Sequence, residues 1–318
     1  LSGWACALIC TALAAGEVAA ADDAAVGATR VVMLGSGTPM PDPARRGPGV
    51  AVIAKGRAYV VDAGEGIFRA TAASTPDYGG RFPELHRTRL TRLFLTHLHS
   101  DHTVGVPAFI LLPWTLGRTE APQIYGPPGT ARLVRGILDA YLDDIDQRRY
   151  GLGQGNDTGW RAVAHEVAAP GVVYTDDAVT VKAFPTEHTT YPVTWAYRFE
   201  TPDRVVVISG DTRPCQGILD AGAGADVLVH EVIGVDDRDK APWGKAKHMR
   251  LDLGDVSRFY HTTTEELAGI AKQVKPRLLV LYHEQNWSDP YEPDALVEEI
   301  RRFGYDGQVV SARDGDVY

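Results

Sequence analysis

Four times in this sequence a run of branched and aromatic residues ends in a side chain able to bind a cation. "LFLTH" closes on His97, "AFPTEH" on His188, "VVVISGD" on Asp211 and "LLVLYH" on His283. A strand buried on both faces is apolar along its length and becomes polar only at its ends. Strand ends gathered at one edge of a sheet converge on a point, which scattered loop residues seldom do. The first run continues into "THLHSDH", residues 96–102, so His97, His99, Asp101 and His102 share one short stretch. Imidazole and carboxylate donors together suit zinc or a similar borderline ion. His97 and His99, two apart on an extended strand end, project to the same side, while Asp101 and His102 follow the turn and face a second ion.

The rest of the chain alternates short strands with turns and a few helices. "RVVMLGSGTP" predicts a strand running into a Gly-rich turn; Gly35 and Gly37 lack the third glycine and the following helix of a phosphate loop. "GVAVIAKGRAYVVDAGEG" predicts a hairpin turning at Lys55-Gly56-Arg57. Apolar residues at helical spacing predict a helix over 130–146. "TTEELAGIAKQVK", with Thr262 to Thr264 as N-cap candidates, and "EPDALVEEIRRFGY", stopped at Gly304, predict two more. With 318 residues, 44% of them hydrophobic, the chain is long and apolar enough to bury a sizeable core.

Residues 1–20 read as an export signal: an apolar run from Trp4 to Ala15, then small residues around Val18 to Ala21. The run is too short to span a bilayer and no other stretch is apolar enough, so no stable membrane insertion is expected. The expected catalytic domain covers 21–318 and works in the periplasm or outside the cell. Loss of the signal removes Cys6 and Cys10 and leaves Cys215 without a partner for a disulfide. With 32 Lys and Arg against 41 Asp and Glu, the net charge of −9 disfavours a nucleic-acid partner, which normally meets a basic footprint. A small-molecule substrate is the expectation, and a homo-oligomer is allowed.

"THLHSDH" resembles the signature of the metallo-β-lactamase fold, and the chain follows that family's order: "LGSGTP", "VVDAGEG", "THLHSDH", His188, "SGDT" and His283. Within the family it is most similar to ribonuclease Z-like hydrolases. "LVHEV" resembles their His-Glu-Ala-Thr motif, and "FYHTTTEEL" resembles their His-Ser-Thr segment. The resemblance implies an α/β protein, an αββα sandwich of two mixed sheets with flanking helices, holding two zinc ions. It implies His97, His99 and His188 on the first ion, Asp101, His102 and His283 on the second, and Asp211 bridging both. A hydroxide held between the ions would be the nucleophile. Asp101 would double as proton acceptor, and His261 would stabilise the oxyanion or protonate the leaving group. His230 and Glu231 would orient His261 through a hydrogen bond, and Asp62 would support the metal loop.

One departure shapes the functional expectation. Ribonuclease Z commonly carries a Gly-rich arm between its third metal histidine and the bridging aspartate, and that arm grips transfer RNA. Here Asp211 follows His188 by only 23 positions, which two strands and a turn use up. Together with the acidic balance and the export signal, this predicts an exported dinuclear zinc hydrolase acting on a small ester, lactam or other activated electrophile. A ribonuclease Z-type phosphodiesterase is the alternative. Residues 111–118 with Trp114, and 236–258 with Trp243 and His248, are candidate flaps beside the site. His86 and His165 are expected on the surface.

Overall fold

Two β-sheets pack face to face, each built from one continuous half of the chain. The computed structural model describes residues 28–318 except 152, 154, 189–190, 236–259 and 286–293. The expected export signal, residues 1–20, and the flap candidates Trp243 and His248 lie outside the described residues. The first sheet runs in chain order through β1 (Arg30–Gly35), β2 (Gly49–Ala54), β3 (Arg57–Val61), β4 (Arg92–Phe94), β5 (Gln123–Gly126) and β6 (Val163–Glu166). The second contains β7 (Gly171–Thr175), β8 (Thr180–Pro185), β9 (Trp195–Glu200), β10 (Val205–Ile208), β11 (Val227–Ile233), β12 (Leu278–Gln285) and β13 (Val309–Ser311), again with sequence neighbours side by side. Each sheet is mixed. β1 to β3 pair antiparallel and β3 to β6 parallel; β7 to β10 pair antiparallel and β10 to β13 parallel.

Strand alternation divides the apolar residues between two faces. Val31, Met33, Val50 and Val52 face Val181, Tyr197, Phe199 and Val229 in the core between the sheets. Their neighbours Val32, Leu34, Ala51 and Ile53 point outward, beneath α1 (Ile67–Ala73), α3 (Val106–Thr115) and α4 (Thr130–Ala140). On the second sheet Val207, Leu228, Leu279 and Leu281 point outward beneath α6 (Gln216–Gly222), α7 (Thr264–Val274) and α8 (Ala295–Arg302). The result is the helix–sheet–sheet–helix sandwich. Thr263 starts α7 with a capping box: Glu266 N–H donates to the Thr263 hydroxyl, and Thr263 N–H donates to Glu266 Oε2 at 2.9 Å. No helix among the described residues is long and apolar enough to cross a membrane.

Three expectations change. The helix predicted over 130–146 is two helices, because Tyr141 leaves helical geometry (φ −106°, ψ 15°) and α5 (Leu142–Tyr150) then follows. Residues 111–118 are no flap: Trp114 is 2% exposed in the core under the first sheet, and its Nε1 donates to Asn156 O at 2.9 Å. That segment ends α3, where Pro113 cannot donate to Phe109 O; the buried Arg118 does so instead at 3.0 Å. His165 is half-buried on β6, stacked on Tyr125 with ring centroids 4.4 Å apart.

Candidate metal centre

The polar ends of the strands do meet. The loop after β4 and the short helix α2 (Ser100–Thr103) carry His97, His99, Asp101 and His102; His188 follows β8, Asp211 follows β10, and His283 lies in β12. In one group, His99 Nδ1 lies 2.9 Å from His97 Nε2 and 3.1 Å from His188 Nε2. Asp211 Oδ2 lies 4.0 Å from His97 Nε2 and 3.9 Å from His188 Nε2. In the second group, His283 Nε2 lies 3.2 Å from Asp101 Oδ2 and 3.5 Å from Asp211 Oδ2, while His102 Nε2 lies 3.2 Å from Asp211 Oδ1. Within each group the donor atoms fall inside 4.8 Å of one another, close enough to share one cation. Asp211 belongs to both groups.

Unusual backbone brings two of these residues into line. β11 pairs Glu231 with Tyr282 and then Val232 with Glu284, so His283 is the extra residue of a β-bulge. Its φ of 44° turns the side chain out of the regular alternation, a conformation rare for a residue with a Cβ. Gly210 precedes Asp211 at φ 62°, and a Cβ there would lie 2.6 Å from Thr96 Cβ. Only glycine fits both the turn and the close approach.

Hydrogen bonds fix which ring nitrogen carries the proton. Thr96 Oγ1 donates to Asp62 Oδ2 at 2.8 Å and therefore accepts from His97 Nδ1 at 3.0 Å. His102 Nδ1 donates to Asp62 Oδ2 at 2.8 Å, and His188 Nδ1 donates to Tyr260 O at 2.8 Å. Each bond leaves an Nε2 lone pair aimed into the centre, the arrangement that metal-binding histidines require. The buried atoms His102 Nε2 and Asp211 Oδ1 have no hydrogen-bond partner among the described residues. Orphaned donors of this kind are what a cation would satisfy.

The charges fit the same picture. Burial, with His188 beside it, pushes His99 down to about 4, and burial likewise pushes His188 to about 4. Burial and the His102 charge hold His97 well below the usual range. Burial opposes charge at His102 too, yet Asp211 and Asp62 on either side hold it well above that range. Asp211 is driven the other way: burial would raise it, but His283 and His102 keep it ionised.

His261 sits between the two groups, its ring 5.4 Å from that of His188 and 5.8 Å from that of His283, and its Nδ1 donates to Glu231 Oε1 at 3.1 Å. The same oxygen accepts from Thr212 N at 3.0 Å and Thr262 N at 3.3 Å, so Glu231 is pinned from three sides. His230 does not share this contact. Its Nδ1 donates to Glu231 O at 2.6 Å, and it lies on the face of β11 that packs the helices, as Leu228 and Val232 do. Adjacent strand residues point to opposite faces, so only one of the two can reach His261. Three contributors escaped the sequence reading. The Thr96 hydroxyl and the Tyr260 carbonyl orient histidines, and the Tyr191 ring stands edge-on to His99 with centroids 4.7 Å apart. Only the aromatic Tyr191, three places after His188, left a trace in the sequence.

Residues 57–283 match the model of the β-lactamase superfamily domain. The chain belongs to that superfamily. It is a metallo-β-lactamase superfamily hydrolase of the ribonuclease Z-like group. Ribonuclease Z of Mycobacterium sp. strain KMS is 34% identical over 266 residues, covering 80% of this chain and 83% of that protein. Ribonuclease Z of Mycolicibacterium paratuberculosis is 35% identical over 256 residues, covering 80% and 85%. In fold, the metallo-β-lactamase fold protein YhfI from Bacillus subtilis superposes with a TM-score of 0.66 at 17% identity, covering 91% of this chain and 98% of that one. The short form of human tRNase Z gives 0.64 at 22% identity, with the same coverage. These relatives overturn the expectation of a small-molecule partner with nucleic acid disfavoured, because proteins matching 80% of this chain at 34–35% identity are ribonucleases by name. Net charge is a property of the whole surface, whereas recognition depends on the charges near the site.

Proposed function

We propose that the protein is a ribonuclease Z-type phosphodiesterase that hydrolyses RNA with two zinc ions. The sharing of Asp211 between two donor groups is the observation that carries this reading. His97, His99 and His188 would hold one ion; Asp101, His102 and His283 would hold the other; Asp211 would touch both. When bound, such ions acidify water and offset the negative charge of a phosphodiester. The chain's own residues supply the rest. Asp101, whose side chain is 14% exposed while Asp211 is 3%, is the carboxylate in position to take a proton from the attacking water. As the water oxygen joins phosphorus the ester bond breaks, and the leaving oxygen needs a proton. His261, held by Glu231 through Nδ1, keeps Nε2 for that proton. The test is direct. The full chain, reconstituted with zinc, should cleave a labelled precursor transfer RNA and bis(p-nitrophenyl) phosphate, and a chelator should abolish both reactions. Absence of phosphodiester cleavage in the zinc-loaded protein would overturn the reading.

A further inference from the structure

RNA carries a charge at every nucleotide, and this chain carries a net −9. Binding therefore needs cations set against the general trend and close to the metal centre. Several arginines near the site are already engaged. Arg45 Nη1 lies 2.9 Å from Glu284 Oε2, Arg46 Nη1 lies 3.2 Å from Asp314 Oδ2, and Arg213 Nε lies 2.8 Å from Glu187 Oε2. Arg132 and Arg135 on α4 differ. Both are exposed, and neither has a hydrogen bond or ion pair with a described residue. Three positions apart on one helix, they present two guanidiniums from neighbouring turns of the same face.

Their position matters as much as their charge. A methyl group built on Gly129 would lie 2.9 Å from Leu98 Cδ1 and 3.9 Å from Arg132 Nη2. Arg132 and Leu98, the residue between His97 and His99, thus flank Gly129 together, and Arg135 follows one turn further along α4. The carboxylate that feels both arginines, Glu166, is already committed: its Oε1 accepts from Gly129 N at 2.8 Å and Ala131 N at 3.1 Å. It shields the helix start and leaves the two arginines for something else. Between His188 and Asp211 the described residues spend most of their length on β9 and β10.

We infer that Arg132 and Arg135 form a phosphate-binding ridge that holds RNA against the metal centre. This rests on the ribonuclease reading above. The ridge engages backbone phosphates flanking the scissile bond and takes no part in bond cleavage. It makes RNA affinity strongly salt-dependent in spite of the acidic composition.

The experiment uses the zinc-loaded full chain, the Arg132→Gln/Arg135→Gln and Arg132→Glu/Arg135→Glu variants, a labelled precursor transfer RNA, and bis(p-nitrophenyl) phosphate. Glutamine keeps helix propensity on an exposed face, so that variant guards against a folding defect. The expected result is RNA binding weakened roughly tenfold by the glutamine pair and more by the glutamate pair. The log–log salt dependence should become shallower by about 0.7 to 0.9 for each phosphate that is no longer neutralised. Hydrolysis of bis(p-nitrophenyl) phosphate should stay at the wild-type rate. If wild type cleaves RNA and the variants bind it with unchanged affinity and salt slope, the ridge is refuted while the ribonuclease reading stands. Equal loss on both substrates would assign the arginines to the shape of the metal loop and refute the ridge as well. Wild type that cleaves bis(p-nitrophenyl) phosphate but no RNA would refute the ribonuclease reading, and the ridge with it.

Discussion

Asp62 Oδ2 accepts a hydrogen bond from His102 Nδ1 at 2.8 Å, and the same oxygen accepts from the Thr96 hydroxyl that orients His97. One carboxylate oxygen therefore sets a histidine in each donor group. Asp62→Asn tests it. Asparagine tolerates the φ of 59° at this position and can still accept from Thr96 N. Its amide, though, presents a donor to His102 Nδ1–H, which drives the proton to Nε2 and removes that lone pair from the centre. Metal affinity should fall about 10- to 100-fold, measured by zinc titration against a competing chelator. Unchanged affinity at both positions would show that Asp62 only packs the loop.

His261→Ala should separate chemistry from metal binding. The ring completes neither histidine-rich group, so the variant should retain its zinc by elemental analysis. Turnover of a labelled precursor transfer RNA, whose alkoxide leaving group needs a proton, should fall by about 10² to 10⁴. Burial holds His261 below its ordinary value, so its ring is mostly neutral above neutrality. If Nε2 delivers a proton, wild-type kcat/KM rises as pH falls toward that value, and the alanine variant loses the slope. His97→Ala, by contrast, should lose metal and activity together.

The two ions should differ in their proton cost. His99 and His188 sit at about 4 and His97 is held well below its usual range, so the histidines of the first group are neutral at pH 7 and accept a cation without releasing protons. His102 is raised, so in the metal-free protein its Nε2 stays protonated at neutral pH and must lose that proton to bind. Charged His102 stabilises the metal-free fold fully below its unfolded value, about 6.5. That contribution is lost as pH rises through the higher folded value. Affinity of the second position should accordingly climb with pH. Calorimetry in buffers of different ionisation enthalpy should find about one proton released for the second ion and none for the first.

Gly210→Ala should damage the centre from behind. The new methyl would meet Thr96 and would demand a positive φ from alanine. A cost of about 1–3 kcal/mol is expected, which lowers Tm by several degrees in a domain of this size. Zinc affinity should drop as Thr96 shifts away from His97. Thermal melts with and without zinc would measure both effects.

The donor set was legible because each member ends an apolar run, and a strand long enough to be recognised also reveals where it stops. The flanking helices were less so. α3 begins with Val106-Pro107 and holds Pro113 in its last turn, so two prolines disguised it as loop; the buried Arg118 that replaces the missing donor lies outside the helix. The pairing of His230 with Glu231 failed because sequence adjacency in a strand means opposite faces. Asp62 is legible as a support of the metal loop through the family resemblance, but its hydrogen bonds to Thr96 and His102 are not, since Asp62 and Thr96 meet through β3 and β4 lying side by side. The partner expectation failed because a summed charge says nothing of where individual cations stand on the surface.

The division of the sheets has a further consequence. Residues 30–166 make one sheet and 171–311 the other, and the donors split the same way: four before the junction, three after it. Beyond the shared core and isolated hydrogen bonds, the tail crosses back along a strand, where Tyr318 and Asp316 bond to Val31 and Met33. A polypeptide cut in the 167–170 junction would give two fragments, each with an incomplete share of the coordination. Neither would own the chemistry. The centre would come into being only when the fragments dock, making metal capture a direct reporter of their reassembly.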